Sequence, residues 1–301
     1  MPTTPHLFGG DWTTEKLELV RRYLVAYTTA LKNRRFRTAY IDAFAGTGRR
    51  APRRRKKSDD SSQVSMFELP PEIYEPETQE FLDGSARIAL QVEPRFSKYF
   101  FIEKNSKRAA ELKKLQDEFL DKKDDIHIKS EEANAYLQKF CRTVDWRARR
   151  AVLFLDPYGM QVEWETIKAI GATKSIDLWL LFPIGVAVNR MLPRDGQIFD
   201  VWRQKLDIMF GDPGWFDEFY EESTDRNLLG EQSELKKVAN FNSIARYFVR
   251  RLETAFYGQV AQSPRYLYNS RNNPLYLLCF ATGNATGAPI AIKIADHILK
   301  S

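Results

Sequence analysis

Cysteine and histidine are scarce in this 301-residue chain, which has 2 cysteines and 3 histidines. Two thiols are too few for a disulfide framework or for a zinc site of the usual spacing. We therefore predict no metal site. We expect Cys141 and Cys279, which stand in apolar or helical surroundings, to be buried small residues.

Long apolar runs are also absent. No segment approaches the roughly 18 uninterrupted apolar residues of a membrane span, and residues 1–5 lack the apolar centre of a signal peptide. The sequence therefore predicts a cytoplasmic protein without a membrane segment. Its 43% hydrophobic residues suffice for a large core, and its length suits a single α/β domain with insertions.

Positive charge is modest in total but clustered. The formal net charge is +6, yet residues 49–57 hold seven basic residues in nine. Such clusters are typical of surfaces that bind a phosphate backbone. The alternative is a solvated loop without a ligand, but the cluster follows the glycine loop described next, which favours nucleic acid. The predicted nucleic-acid-binding residues are Arg53, Arg54, Arg55, Lys56 and Lys57.

Residues 40–48 join a predicted strand end to an acid, Asp42, and two glycines. Glycine lets a bound nucleotide approach the main chain more closely than a β-carbon permits. A carboxylate inside the loop repels phosphate and suits an ammonium group, which favours S-adenosylmethionine (SAM), a cofactor with an amine and no phosphate. Phe44, Gly46 and Gly48 complete the predicted cofactor loop. Its pattern, Asp-x-Phe-x-Gly-x-Gly, resembles motif I of class I SAM-dependent methyltransferases.

A nicotinamide or flavin cofactor is an alternative, because Gly46, Gly48 and Ala51 also satisfy the dinucleotide pattern Gly-x-Gly-x-x-Ala. That pattern runs directly into a helix. Here Pro52 and the basic cluster follow instead, and this sequence disfavours the dinucleotide interpretation.

Residues 49–83 are predicted to be a basic and then proline-rich insertion. The acid that binds the ribose normally lies about 20 residues beyond the glycine turn. Glu103 is 55 positions after Gly48 but 19 after Gly84, where the interrupted helix is predicted to resume. We therefore predict that Glu103 ends the second strand and binds the ribose hydroxyls.

The remaining pattern predicts a Rossmann-like class I methyltransferase fold, with a seven-stranded, mostly parallel sheet, an antiparallel last strand and helices on both faces. An N-terminal helical extension is predicted at 1–35, a helical insertion at about 186–230, and a long helix at about 235–256. Glu132, after the third strand, is the predicted contact of the adenine amino group. A helix-capping role is the alternative for the acids at this turn, with Glu131 as the solvent-facing cap.

Asp156, Pro157 and Tyr158 follow the fourth strand, where open α/β sheets bind ligands. With Gly159 they resemble the acid-Pro-Pro-aromatic motif of exocyclic-amino methyltransferases, and more closely the Asp-Pro-Phe-Gly of the tRNA guanine N2-dimethyltransferase family. We predict that Asp156 and the Pro157 carbonyl accept the amino N–H bonds while Tyr158 stacks on the base. The second proline is absent, and the alternative is a strand-end turn with an exposed acid.

Across most of its length the sequence resembles the three-Cys-motif partner protein family (TcmP). The resemblance covers residues 8–13 with Lys16, 40–48, 101–103, 155–159, 189–190 and Trp202. It implies a methyltransferase-like fold and a partner, a radical-SAM-like protein that carries the three cysteines. Thr13 and Lys16 are expected to close over the methionine end of the cofactor, or simply to anchor the N-terminal helix.

The leading hypothesis is a SAM-dependent methyltransferase acting on a base amino group of RNA or DNA. A catalytically silent subunit is the alternative, which would bind SAM or a nucleotide and present nucleic acid to the radical enzyme.

Overall fold

The computed structural model describes residues 12–47, 84–227 and 230–301. Their main sheet has seven strands in the order β3-β2-β1-β4-β5-β9-β8. The strands of this sheet are β1 (Arg37–Asp42), β2 (Lys98–Ile102), β3 (Ile126–Lys129), β4 (Arg149–Leu155), β5 (Ile176–Phe182), β8 (Arg265–Tyr268) and β9 (Pro274–Thr282). Strands β1 to β5 pair in parallel, whereas β9 is antiparallel to both of its neighbours. The predicted mostly parallel sheet with an antiparallel last strand is confirmed.

Helices cover both faces of the sheet, as predicted. Those in the first half of the chain are α1 (Trp12–Leu31), α2 (Ser85–Gln91), α3 (Ser106–Leu112), α4 (Lys114–Glu118) and α5 (Ala133–Thr143). Those in the second half are α6 (Trp164–Ala172), α7 (Asp200–Phe210), α8 (Trp215–Phe219), α9 (Phe241–Ala255) and α10 (Ala288–Leu299). No helix in these described stretches has the length and apolar character needed to cross a bilayer.

Two apolar layers follow from the alternation of side chains along each strand. Tyr40 and Phe154 face the layer beneath α1, α2 and α10, whereas Ile41 and Leu153 face the layer beneath α5, α6 and α9. Strands β4 and β5 are nearly continuous apolar runs because helices bury both of their faces. Both cysteines are buried, as expected from the sequence.

The predicted helical insertion at about 186–230 is only partly helical. It contains α7 and α8, but an antiparallel hairpin of β6 (Tyr220–Asn227) and β7 (Gly230–Lys237) follows. The long helix predicted from about residue 235 begins only at Phe241. Asn240 is extended and caps that helix, with reciprocal hydrogen bonds between Asn240 and Ser243. The residues before this cap bond across the hairpin and so cannot continue the helix.

Three sequence predictions lie outside the described residues: the basic insertion at 49–83, the first eleven residues of the N-terminal extension, and Gly48 of the cofactor loop.

Candidate functional site

Four predicted site acids lie at the carboxyl edge of adjacent strands. Asp42 is the last residue of β1, Glu103 follows β2, and Asp156 follows β4. Glu132 lies three residues beyond the end of β3. Because these strands are neighbours in the sheet, the four acids line one edge, which is where open α/β sheets bind ligands.

Asp42 is completely buried. Its carboxylate accepts hydrogen bonds from the Ser85 hydroxyl at 2.5 Å and from the Phe44 N–H at 3.2 Å. Burial raises the pKa of the Asp42 carboxyl to about 7. The Ser85 hydrogen bond and the charge of Lys16 oppose this pKa rise, whereas the charge of Asp156 adds to it. Asp42 is therefore a buried acid whose ionised form a further positive charge would stabilise.

Gly46 has a φ of +61°, in the left-handed region that glycine adopts without strain. A β-carbon built on Gly46 would meet no atom of the described residues within 4 Å, so none of them covers the main chain here. Phe44 is half-buried and packs against the core beneath α5 and α6. The loop therefore combines a fixed aromatic with a main chain that a ligand could approach.

Glu103 is largely buried, and its Oε1 accepts the N–H of Asn105 at 2.8 Å. The Glu103 N–H in turn donates to the carbonyl of Lys129 on β3. The side-chain oxygen of Asn105 then accepts the N–H groups of Lys107 and Arg108, so it caps α3. These bonds fix the direction of the Glu103 carboxylate at the strand end.

Glu132 caps α5, because its carboxylate accepts the N–H groups of Asn134 and Ala135. The sequence analysis left open which acid serves as the cap, and the structure gives that role to Glu132 while Glu131 is exposed. The predicted adenine contact of Glu132 stays a prediction.

Asn134 connects the cap of α5 to the loop after β4, and the sequence analysis missed it. Its amide nitrogen donates to Glu132 and to the carbonyl of Gln161, and its amide oxygen accepts the N–H of Glu163 and the Thr166 hydroxyl. An asparagine after a capping acid is too common in sequences to have revealed this. The amide fixes the far end of the loop that begins at Asp156.

Asp156 forms an ion pair with Lys16, whose Nζ lies 2.5 Å from its Oδ2. The Lys16 side chain is 3% exposed and that of Asp156 is 22% exposed, so the ion pair is largely shielded from bulk water. Lys16 was expected near the methionine end of a cofactor. In the structure Lys16 instead pairs with Asp156, the predicted catalytic acid, which follows the strand next to that of Asp42. The two residues are 140 positions apart, so no local sequence pattern could reveal this pair.

Tyr158 is 63% exposed, although the loop that carries it is fixed. The Tyr158 N–H donates to Oε1 of Gln161 at 3.0 Å. Gly159, with a φ of +73°, turns the chain immediately afterwards, and Pro157 is buried. An exposed aromatic ring therefore projects from a rigid turn beside a carboxylate.

Trp12 anchors the start of α1 at the same edge. Its ring stacks on Tyr276 with centroids 4.8 Å apart, and the Lys16 Nζ lies 4.7 Å from its centroid. Thr13 is buried beside it. The start of α1 thus covers the edge between β4 and β9, which is compatible with either role that the sequence left open for Thr13.

No family model matches the chain, and no curated protein matches it. Membership of the three-Cys-motif partner family therefore stays a prediction.

Several solved structures resemble the chain at low identity. Protein LPL1258 from Legionella pneumophila is 15% identical over 83% of this chain and 94% of its own, with a TM-score of 0.43. A SAM-dependent methyltransferase from Clostridium acetobutylicum is 9% identical over 88% and 92%, with a TM-score of 0.35. Magnesium protoporphyrin IX methyltransferase from Synechocystis, with bound SAM, is 9% identical over 78% and 85%, with a TM-score of 0.32. These scores are below 0.5, and the fold is identified by its own strand order.

Proposed function

We propose that this protein is a SAM-dependent methyltransferase that methylates an exocyclic amino group of a nucleic-acid base. The convergence of Asp42, Glu103 and Asp156 at one edge of three adjacent strands carries the proposal. Each acid has its own proposed use at this edge. The acid of the glycine loop suits the ammonium group of a cofactor, the acid after the second strand suits its ribose, and the acid-Pro-aromatic turn after the fourth strand suits an amino nucleophile.

The residues at the edge fit an adenosyl cofactor. No described residue covers the main chain at Gly46, which suits a ligand that lies against it. Asp42 supplies negative charge for an ammonium group, and Glu103 presents a carboxylate to the ribose hydroxyls. When bound, SAM supplies a methyl group made electrophilic by its sulfonium.

The turn after β4 fits an amino nucleophile. An exocyclic amino nitrogen is a poor nucleophile because its lone pair is delocalised into the ring. Hydrogen bonds from this nitrogen to Asp156 and to the Pro157 carbonyl favour the pyramidal geometry in which the lone pair is free. Tyr158 offers its exposed ring to a base that has left a stack, at a cost of a few kcal/mol if the base must be flipped from a duplex.

Lys16 acts on this step through Asp156. Its ammonium group holds Oδ2, which leaves Oδ1 to accept the amino N–H. Asp156 would accept the proton that the amino group loses when it gains the methyl group that SAM would supply, with S-adenosylhomocysteine as the leaving group. Lys16 is therefore a positioning residue for the acceptor.

Labelled methyl transfer tests the proposal. The purified protein is incubated with methyl-labelled SAM and, separately, with tRNA, rRNA and single-stranded DNA, and the nucleosides are then analysed. We expect label in one base methylated on its amino group, with inhibition by S-adenosylhomocysteine. If SAM binds but no label reaches any of the three, the protein is instead a SAM-binding subunit that requires the predicted partner. Label on a ring carbon or on the ribose would contradict the proposed chemistry.

A further inference from the structure

Three cationic side chains follow the predicted ribose acid in the sequence, and one of them, Arg108, contacts the exposed aromatic ring of Tyr158. Lys104 directly follows Glu103, and Lys107 and Arg108 lie in the first turn of α3. Lys104 and Lys107 are exposed and Arg108 is half-buried. We call these three residues the α3 ridge.

The charge of the ridge is uncompensated within the described part of the chain. Some exposed bases of the described chain form ion pairs, such as Lys114 with Glu111 and Arg147 with Asp145. None of the three ridge residues forms an ion pair with another described residue. Three cations without ion-pair partners within five residues of chain repel one another, and a polyanion would relieve that repulsion.

The ridge contacts the candidate site directly. The Arg108 guanidinium carbon lies 5.9 Å from the centroid of the Tyr158 ring, within the range of a cation–π contact. Glu103 accepts the main-chain N–H of Asn105, and the Asn105 side-chain oxygen accepts the N–H groups of Lys107 and Arg108, so the main chain that carries the ridge is fixed. Arg108 is therefore placed against the ring, and Lys107 lies in the same turn of the helix.

A cationic groove beside an aromatic platform is the arrangement with which proteins bind single strands, since the cations contact phosphates while the ring stacks on a base. We propose that the α3 ridge binds the phosphodiester backbone next to the target nucleotide and so delivers the base to Tyr158. This inference deepens the proposed function and rests on it for the identity of the delivered base.

Oligonucleotide binding tests the ridge without methyl transfer. The probe is a fluorescein-labelled single-stranded 20-mer, as DNA and as RNA, with anisotropy measured from 50 to 300 mM salt. The ridge variant is Lys104→Gln/Lys107→Gln/Arg108→Gln. The matched control is Lys32→Gln/Arg34→Gln/Arg35→Gln, which removes three exposed cations between α1 and β1, at the opposite edge of the sheet.

We expect the ridge variant to bind at least tenfold more weakly than the parent at 0.1 M salt. The slope of log affinity against log salt should become shallower by about 2, because each phosphate contact on a single strand contributes about 0.7. The control variant should stay within twofold of the parent. Equal weakening in both variants would show a net-charge effect, and an unchanged slope in the ridge variant would show that the ridge does not contact phosphate. Either result overturns the proposal.

Two single substitutions separate charge from stacking. Arg108→Lys keeps the cation and should leave the salt slope unchanged, whereas Tyr158→Ala should weaken binding severalfold, also without a change in slope. Polyglutamate that binds the ridge as tightly as the 20-mer, and with the same salt slope, would identify a docking site for an acidic protein and overturn the proposal. SAM titration and methyl transfer, measured separately, distinguish failure of the ridge from failure of the proposed function.

Discussion

Two buried carboxylates lie at opposite edges of the same sheet. Asp42 ends β1 at the carboxyl edge, whereas Asp177 is the second residue of β5 at the amino edge. Burial raises the pKa of both, to about 7 for Asp42 and about 6 for Asp177. Burial and pKa alone therefore do not distinguish a ligand-binding acid from a structural one.

Their partners distinguish them. Asp177 accepts the Tyr23 hydroxyl at 2.6 Å and the Thr282 hydroxyl at 2.5 Å, so it ties α1 to β5 and β9. Asp42 is bonded within its own loop and to Ser85, and it lies near the charged pair of Lys16 and Asp156. Asp177 therefore joins a helix to two strands, whereas Asp42 joins its loop to the first residue of α2 and lies beside an ion pair at the carboxyl edge, where a bound ligand could act on it.

The largest expected effect is the loss of methyl transfer when an acid at the carboxyl edge, rather than one at the amino edge, is replaced. Asp156→Asn should reduce methyl transfer by about 10² to 10⁴-fold, because the amide loses the acceptor charge that a general base needs. SAM affinity should stay within a fewfold of the parent. Kinetics with labelled SAM and calorimetric titration measure the two effects. The matched change at the other edge, Asp177→Asn, should leave methyl transfer per folded molecule unaltered. A large loss of SAM affinity in Asp156→Asn would make Asp156 a cofactor residue.

A second comparison uses two glycines with similar geometry. Gly46 and Gly258 have φ values of +61° and +80°, and a β-carbon on either would meet no described residue within 4 Å. Alanine at either position should cost about 1 kcal/mol of unfolding free energy through backbone strain. Only Gly46→Ala should also weaken SAM binding, by about tenfold, because its β-carbon would occupy the ligand space. Equal SAM affinity in both variants would remove Gly46 from the site.

The hydroxyl partners of Asp177 provide a stability test. Tyr23→Phe leaves the buried carboxylate with one hydrogen bond fewer and should cost about 1 to 3 kcal/mol of unfolding free energy. Urea denaturation measures this cost. SAM affinity should not change. Weaker SAM binding by Tyr23→Phe would contradict the purely structural role given to Asp177 and its partners.

The pH dependence of stability gives a further test of the two acids. Both acids have folded-state pKa values above the usual 3.8, so the folded state retains protons that the unfolded state releases. Their contribution to the unfolding free energy therefore decreases as pH rises, from about 4 to 6 for Asp177 and from about 4 to 7 for Asp42, and is constant above. Asp177→Asn should flatten the lower part of this decrease, and Asp42→Asn should flatten it as far as pH 7. A variant slope identical to that of the parent would contradict the raised pKa.

The sequence predicted the sheet because its strands are strong local signals. The apolar runs of β4 and β5 and the restored spacing between Gly84 and Glu103 follow from short segments. The hairpin of β6 and β7 was missed, because its polar strands carry little apolar alternation. The capping box at Asn240 and Ser243 was present in the sequence and marks the true start of α9.

Site residues were predicted where a motif is contiguous and missed where contacts are distant. Asp42, Glu103 and Asp156 stand at strand ends that periodicity locates. The Lys16–Asp156 pair and the Asn134 bonds to the loop join elements far apart in the chain. Only the packing of helices on the sheet brings them together, and a single sequence does not encode that packing in any local pattern.

Calorimetric titration with SAM, S-adenosylhomocysteine and NAD tests most directly whether the carboxyl edge holds an adenosyl cofactor. We predict that both adenosyl compounds bind and NAD does not. Glu103→Gln should weaken their binding by at least tenfold, because it removes a charged acceptor for the ribose hydroxyls. The control Glu131→Gln, at an exposed acid beyond the next strand, should bind as the parent does. NAD binding, or adenosyl binding unaffected by Glu103→Gln, would contradict the assignment of this edge.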